Sequence, residues 1–376
     1  MSASVRYSHR CDRRSRQVRV GGVAIGGGAP VSLQSMTKSD TRDVEATLAQ
    51  LRELEQAGCD LMRVAIPDEE AARAFGAIKR DAPLPLVADI HFDHRLALMA
   101  LAAGADKLRL NPGNIRRPEH VRQVVAAARD RRVPIRVGAN LGSLPPDVRV
   151  RYRDQLHTPE GAARALFDAA MQHVRILEEL DFRDIVISLK AFDVPATIEA
   201  YRLAARDTDY PLHVGITEAG PPPAGLIRSA VGIGALLAEG IGDTIRVSLS
   251  APAVEEARAG REILRALGLR PGGVELVSCP TCSRCAMDVQ RAALAVEREL
   301  RPLDERLRRQ GRELRVAVMG CAVNGPGEAR DADVGIAADA RGAVLFSKGE
   351  LVRRLAPEEA VAALISEAQR VADLPT

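Results

Sequence analysis

Residues 84–114 read LPLVADIHFDHRLALMALAAGADKLRLNPGN and contain one complete unit of the fold. LPLVADI from Leu84 is a short β-rich run, HRLALMALAAG is an amphipathic stretch that ends in glycine, and DKLRLN from Asp106 is a second β-rich run. Strand, glycine-closed helix and strand again predict two parallel strands joined by a crossover helix.

The same unit recurs on both sides. VSLQSM from Val31 and DLMRVAI from Asp60 precede it; PIRVGAN from Pro134, DIVISLK from Asp184, PLHVGIT from Pro211 and DTIRVSLS from Asp243 follow. Between them lie helix-like segments such as VEATLAQLRELEQAG, EHVRQVVAAARDRR and GAARALFDAAMQHVRILEELD. Eight such units within about 250 residues match the length of a (β/α)8 TIM barrel better than an open doubly wound sheet. QVRVGGVAIGGGAP, ahead of the first run, reads as a hairpin plugging the lower end. Pro271, Gly272 and Gly273 mark a linker, so 1–270 is expected to form a barrel that binds substrate and 271–376 a smaller α+β domain. In the latter, SRCAMDVQRAALAVERELRPLDERLRRQ reads as one helix opening at the cysteine motif, followed by strands LRVAVMG, ADVGIAA and AVLFSK and a final helix EEAVAALISEAQRVA.

Composition narrows the function. The 376 residues are 46% hydrophobic and 27% charged, with no apolar run long enough to span a bilayer. No membrane role is expected. The basic N-terminal stretch lacks the apolar core of a secretory signal, which makes the cytoplasm the expected location. A net charge of +3, an aromatic content of 3% and no tryptophan give few platforms for bases, so no nucleic-acid partner is expected. Lysine occurs only at 38, 79, 107, 190 and 348; the remaining basic residues are arginine, whose planar fork suits phosphate.

In a TIM barrel the chemistry gathers at the C-terminal ends of the strands. Those ends offer Gln34 and Ser35, Arg63, Asp89 and His91, Arg109 with Asn111, Arg136 with Asn140, Ser188 with Lys190, His213 with Thr217 and Glu218, and Arg246 with Ser248. A single inward arginine is often only half of a salt bridge. Here five cations converge and only Asp89 and Glu218 oppose them, so the mouth is expected to bind an anion with more than one phosphate. No GxxxxGK[ST] or GxGxxG motif is present to cradle phosphates by backbone alone.

Of the six cysteines, Cys11 and Cys59 are isolated, whereas Cys279, Cys282, Cys285 and Cys321 crowd the last third. In a reducing compartment such crowding points to a metal. Cys279 and Cys282 have the C-x2-C spacing of two ligands to one centre, and Cys321, in MGCAVNGPGE, can close on it from a later loop. The fourth ligand of a [4Fe–4S] cluster would be Cys285 or a group other than thiolate. Tetrahedral zinc satisfies the same spacing, and NGPG reads as a tight turn.

Taken together, SCPTC, MGCAVNGPGEA, QSMT, VADIHF, RLNPGN, RVGANLGSL, HVGITEAG and IRVSLS resemble the motifs of the bacterial 4-hydroxy-3-methylbut-2-en-1-yl diphosphate synthase family, flavodoxin/ferredoxin type, from about Arg14 to the last helix. The resemblance implies an oxidoreductase of the non-mevalonate isoprenoid pathway. It implies a [4Fe–4S] cluster on Cys279, Cys282, Cys321 and the carboxylate of Glu328. It also implies the substrate, 2-C-methyl-D-erythritol 2,4-cyclodiphosphate, opened and dehydroxylated with two electrons from flavodoxin or ferredoxin. Carried over residue by residue, Arg63, Arg109, Arg136, Asn140, Lys190, Arg246 and Ser248 would bind the diphosphate. Asp89 and Glu218 would face the carbon skeleton, with Glu218 the acid or base near the leaving hydroxyl. The chain departs from the family at Ser283, where glycine is usual, in the added Cys285, and in a longer stretch between Cys282 and Cys321.

Barrel geometry adds an expectation about assembly. The helix after the eighth strand descends roughly 24 Å at about 1.5 Å per residue, releasing the second domain at the end away from the mouth. A two-fold homodimer in which each cluster domain serves the partner's barrel resolves this, and the resemblance implies the same arrangement.

Overall fold

Side chains alternate across each of the eight runs, and that period lets a ring of strands fill itself while presenting polar groups at one end. The computed structural model describes residues 13–374 except 116, 322 and 324; Cys11 and Asn324 lie outside the described residues. Contacts divide the chain into two compact units, one ending at Arg270 and the other beginning at Pro271.

The first unit opens with the hairpin β1 (Gln17–Val20) and β2 (Val23–Gly26). Val18, Val20 and Ile25 of the hairpin pack on Leu61 and Val186, at the N-terminal ends of two barrel strands. The barrel strands are β3 (Ser32–Met36), β4 (Leu61–Ala65), β5 (Leu86–Asp89), β6 (Lys107–Arg109), β7 (Ile135–Asn140), β8 (Ile185–Lys190), β9 (His213–Val214) and β10 (Thr244–Ile245). They form one parallel sheet in the order β8-β7-β6-β5-β4-β3-β10-β9. A single bridge between Ile187 and Leu212 draws β8 toward β9. Beside it the Tyr201 hydroxyl accepts from Leu189 N–H and donates to the His213 carbonyl, standing in for a strand-to-strand bond. The ring is thus a near-closed (β/α)8 barrel, as the sequence predicts.

Helices Val44–Gln56, Glu69–Asp81, His94–Ala102 and Val194–Asp207 each start on an aspartate N-cap, Asp43, Asp68, Asp93 and Asp193, whose carboxylate accepts a backbone N–H. These caps fix the loops that follow the strands, which are the loops of the mouth. At the other end, Arg13 pairs with Asp243 and Arg270 with Asp60, each aspartate lying just before a strand.

The second unit is a five-stranded sheet of β11 (Gly273–Ser278), β12 (Glu313–Met319), β13 (Val334–Asp339), β14 (Gly342–Ser347) and β15 (Glu350–Leu355), in that order. The first three strands are parallel and the rest antiparallel. Its core includes Val296, Leu303, Leu307, Val316, Ile336, Leu345 and Leu364.

Three expectations are corrected here. Gly273, expected in the linker, opens strand β11, a strand not read from the sequence. The long helix does not open at the cysteine motif: it starts at Val289, capped by Asp288, and is two helices, Val289–Glu299 and Arg301–Arg309. Pro302 lacks the N–H that would continue the first helix and sits in the first turn of the second. Gly325, Pro326 and Gly327, expected in a tight turn, open a helix that runs Gly325–Asp331, and a Cβ on Gly325 would lie 3.0 Å from the Met319 Cβ and 3.1 Å from that of Ala337. Among the described residues no helix is long and apolar enough to cross a membrane.

Candidate active site

The strand ends bring the predicted cations together. Arg63 Nε stands 3.5 Å from Asp89 Oδ2, and Arg109 Nε 3.6 Å from Asp89 Oδ1. Arg109 donates to His91 Nδ1 at 2.9 Å, while His91 Nε2 faces Asp89 at 3.6 Å. Asp89 is 4% exposed and remains ionised. Burial alone would raise its pKa, but Arg63, His91 and Arg109 outweigh burial and hold it well below the usual carboxylate range.

The cations themselves are short of countercharge. Burial lowers Arg63 to about 10, with Asp89 opposing the shift and Arg246 and Arg109 adding to it. Burial likewise pushes Arg136 and Lys190 far down, and for both the neighbouring arginines push the same way. Such a cluster becomes comfortable only when negative charge arrives. Lys190 reaches the mouth because position 215 is glycine. A Cβ there would lie 2.3 Å from the Arg246 carbonyl oxygen and 2.8 Å from Lys190 Nζ.

One carboxylate of this site was not read from the sequence. Glu256, 1% exposed on the helix Ala253–Ala266, accepts from Arg246 at 3.2 Å, from Ser35 Oγ at 3.3 Å and from Leu249 N–H at 3.0 Å. Lys38 Nζ sits 3.0 Å from the same carboxylate. Adjacent Glu255 is a surface residue paired with Arg258, whereas Glu256 shares the helix face of Ala253, Ala257, Gly260 and Leu264, a spacing that marks it as the inward one.

Glu218 does not offset the ring as expected of it. It is exposed on the loop after β9, with its backbone in the left-handed region at φ 55°. That conformation is costly for a residue other than glycine and typical of functional loops. Its neighbour Thr217 accepts from Asn140 Nδ2 at 3.4 Å, which ties the end of β7 to the Glu218 loop. Ser248 is half-buried two residues beyond Arg246.

The cysteines lie at one edge of the second sheet. Ser278 pairs with Val318, so Cys279 and Cys321 follow the C-terminal ends of neighbouring parallel strands. Gly320 N–H donates to Cys279 Sγ and Cys282 N–H to Cys285 Sγ, each at 3.4 Å, and the Cys279 and Cys285 sulfurs are 4.0 Å apart. None of Cys59, Cys279, Cys282, Cys285 and Cys321 is in a disulfide. Cys282 and Glu328 are exposed. Among the described residues no three His, Cys, Asp or Glu side chains are gathered at metal-binding distance. In donor chemistry the set suits a soft metal: several thiols, backbone N–H groups aimed at sulfur, and a carboxylate on the next helix.

The GcpE TIM-barrel domain matches residues 15–261, and the GcpE protein C-terminal domain matches residues 275–370. The chain belongs to the GcpE family. It is 50% identical over 358 residues to a 4-hydroxy-3-methylbut-2-en-1-yl diphosphate synthase (flavodoxin) of Thermodesulfovibrio yellowstonii, covering 95% of this chain and 99% of that one. A protein of the same description from Dehalococcoides mccartyi is 54% identical over 356 residues, covering 94% and 98%. Among solved structures, a dihydropteroate synthase from Coxiella burnetii in complex with pteroic acid overlays 68% of this chain and 98% of its own, at 13% identity and a TM-score of 0.48. As a GcpE protein the chain is an enzyme, an oxidoreductase of isoprenoid synthesis. The family is one of iron–sulfur enzymes, which decides between the iron and zinc readings of the cysteine spacing.

Proposed function

We propose that the chain converts 2-C-methyl-D-erythritol 2,4-cyclodiphosphate to (E)-4-hydroxy-3-methylbut-2-enyl diphosphate. Two electrons and two protons enter, the carbon–oxygen bond from C2 to the cyclic diphosphate breaks, and the C3 hydroxyl leaves as water. The observation that carries this reading is the ring of Arg63, Arg109, Arg136, Lys190 and Arg246, crowded together around two carboxylates, with Arg63, Arg136 and Lys190 depressed in basicity by burial. A ligand with two fixed negative charges relieves that repulsion, and Asn140 and Ser248 add neutral hydrogen bonds.

A [4Fe–4S] cluster on Cys279, Cys282, Cys321 and Glu328 would supply the electrons, delivered to it by flavodoxin, which the relatives' names carry, or by ferredoxin. The chain's own residues do the rest. Asp89, kept ionised by its cations, cannot donate a proton; it fixes Arg63 and Arg109 and accepts from a substrate hydroxyl. Glu218, exposed on its loop, delivers the proton to the departing C3 oxygen.

The complete site belongs to a cytoplasmic homodimer, each second unit serving the partner's barrel. Support comes from Arg270, the last residue of the first unit, which is clasped to Asp60 at the end of the barrel opposite the mouth. Anaerobic turnover of the cyclodiphosphate with dithionite and a viologen dye tests the activity: the linear allylic diphosphate is expected, and unconsumed substrate over an iron-loaded enzyme would overturn the reading. Mixing Cys279→Ser with Glu218→Gln chains tests the sharing. Activity above the sum of the two variants is expected, and none above it refutes the shared site.

A further inference from the structure

Beneath the cation ring lies a second polar tier that the reaction above does not use. Lys107 on β6, Gln34 on β3, His213 on β9 and Thr244 on β10 have no exposed surface. Lys107 Nζ, both His213 ring nitrogens, both Gln34 amide atoms, Arg136 Nε and Nη2, and Thr244 Oγ1 find no hydrogen-bond partner among the described protein groups. Strand register sets the level: Lys107 pairs with Val87 where Arg109 pairs with Asp89, so the lysine lies one inward position deeper than Arg109 on the same strand. The floor is apolar, formed by Val18, Val20 and Ile25 against Leu61 and Val186.

The charges around Lys107 share one sign. Arg136 from β7 and Arg63 from β4 act on it, and it acts in turn on His213 from β9, which also faces Lys190. The carboxylates Asp89 and Glu256 are engaged higher up, with Arg63, Arg109 and Arg246. Burial drives Lys107 far below the ordinary lysine range, and the two arginines push it further. A fully buried amine with no hydrogen-bond partner and only cations beside it favours the neutral form in the ligand-free enzyme.

We propose that Lys107 is a proton-accepting residue beneath the substrate site, taking up one proton from solvent when the two phosphates of the cyclic diphosphate settle on the cation ring. The inference rests on the substrate reading above. Two negative charges close overhead reverse the sign of the local field and favour the ammonium. The ligand contributes no titrating group of its own: each phosphorus is esterified on one side and bridged to the other phosphorus, leaving one strongly acidic oxygen apiece. His213 meets the same field, but an imidazole is about four pKa units less basic than an amine, and Lys190, although also depressed by burial, has Glu256 to favour its ammonium in the free enzyme, which Lys107 lacks. Proton uptake on binding makes affinity fall as pH rises. The fall approaches tenfold per pH unit between the ligand-free and ligand-bound pKa values of Lys107.

The experiment is anaerobic calorimetry of the full-length, cluster-loaded enzyme with the cyclodiphosphate, without reductant, in buffers of different ionisation enthalpy near pH 8. The slope of heat against buffer enthalpy counts protons, and uptake of about one per site is expected. Lys107→Met should bind more weakly with no uptake and a pH-independent affinity; Lys107→Gln serves if the methionine variant does not fold. His213→Asn should keep the uptake. Binding without uptake in the native enzyme, or uptake persisting in both Lys107 variants, overturns the proposal alone. No binding of the cyclodiphosphate at all overturns the substrate reading and this proposal with it.

Discussion

At the barrel mouth Arg246 is held to Glu256 at 3.2 Å and Arg63 to Asp89 at 3.5 Å, whereas at the strand ends of the second unit Cys282 and Glu328 stand exposed. The two regions solve different problems. Arginines that must meet a soluble anion have to be pointed before it arrives, because a flexible guanidinium would lose the entropy of ordering at each encounter. Opposing carboxylates do this, and they are built from different elements so that several loops share the constraint. Thiols that take a metal need only be near one another, since binding supplies the energy that orders them. The first site is therefore legible in distances and the second in spacing.

The contrast breaks most visibly at the cysteines. Cys279→Ser should remove the iron and lower turnover by more than about a hundredfold, with the barrel's substrate affinity retained; iron analysis and calorimetry read the two effects separately. Iron loading equal to wild type would mean that the edge is not the metal centre. Glu218→Gln should bind the cyclodiphosphate and turn over about 10²–10⁴-fold more slowly. A rate within about threefold of wild type ends its acid–base role.

Glu256→Gln sharpens the contrast from the barrel side. It leaves Arg246 and Lys38 without their shared charge, so KM should rise about tenfold to hundredfold, equivalent to about 1.4–2.8 kcal/mol, with a smaller change in kcat. An unchanged KM would show that the ring needs no bracing from the helix. The smallest effect belongs to Cys285→Ser, which should keep its iron and stay within about threefold of native activity, under about 1 kcal/mol. Loss of iron in that variant would move the fourth ligand from Glu328 to Cys285.

The barrel was readable because its strands are separated by complete helices, several of which close on glycine, signals local enough to need no partner. The five cations were readable because strand ends in such a barrel share one mouth. Glu256 was not, since it lies on a helix rather than at a strand end, and only its spacing from Ala253, Ala257, Gly260 and Leu264 marks it as the inward one of two adjacent glutamates. Strand β15 was missed for a similar reason: ELVRRL is an edge strand with five exposed residues, so alternation against a core never appears in it. The cysteine spacing named a metal but not its fourth ligand. Glu328 came only from the family resemblance, because its carboxylate is exposed on a seven-residue helix with nothing local to single it out.

The clasps at Arg13 and Arg270 have a consequence for how such proteins diversify. Both fasten the chain beside aspartates that precede strands, so this barrel receives and releases its backbone at the end away from the mouth. Whatever is spliced onto either side grows from that end and leaves the catalytic loops untouched. A lineage can lengthen or shorten the connections at that end without cutting the loops that carry the cations.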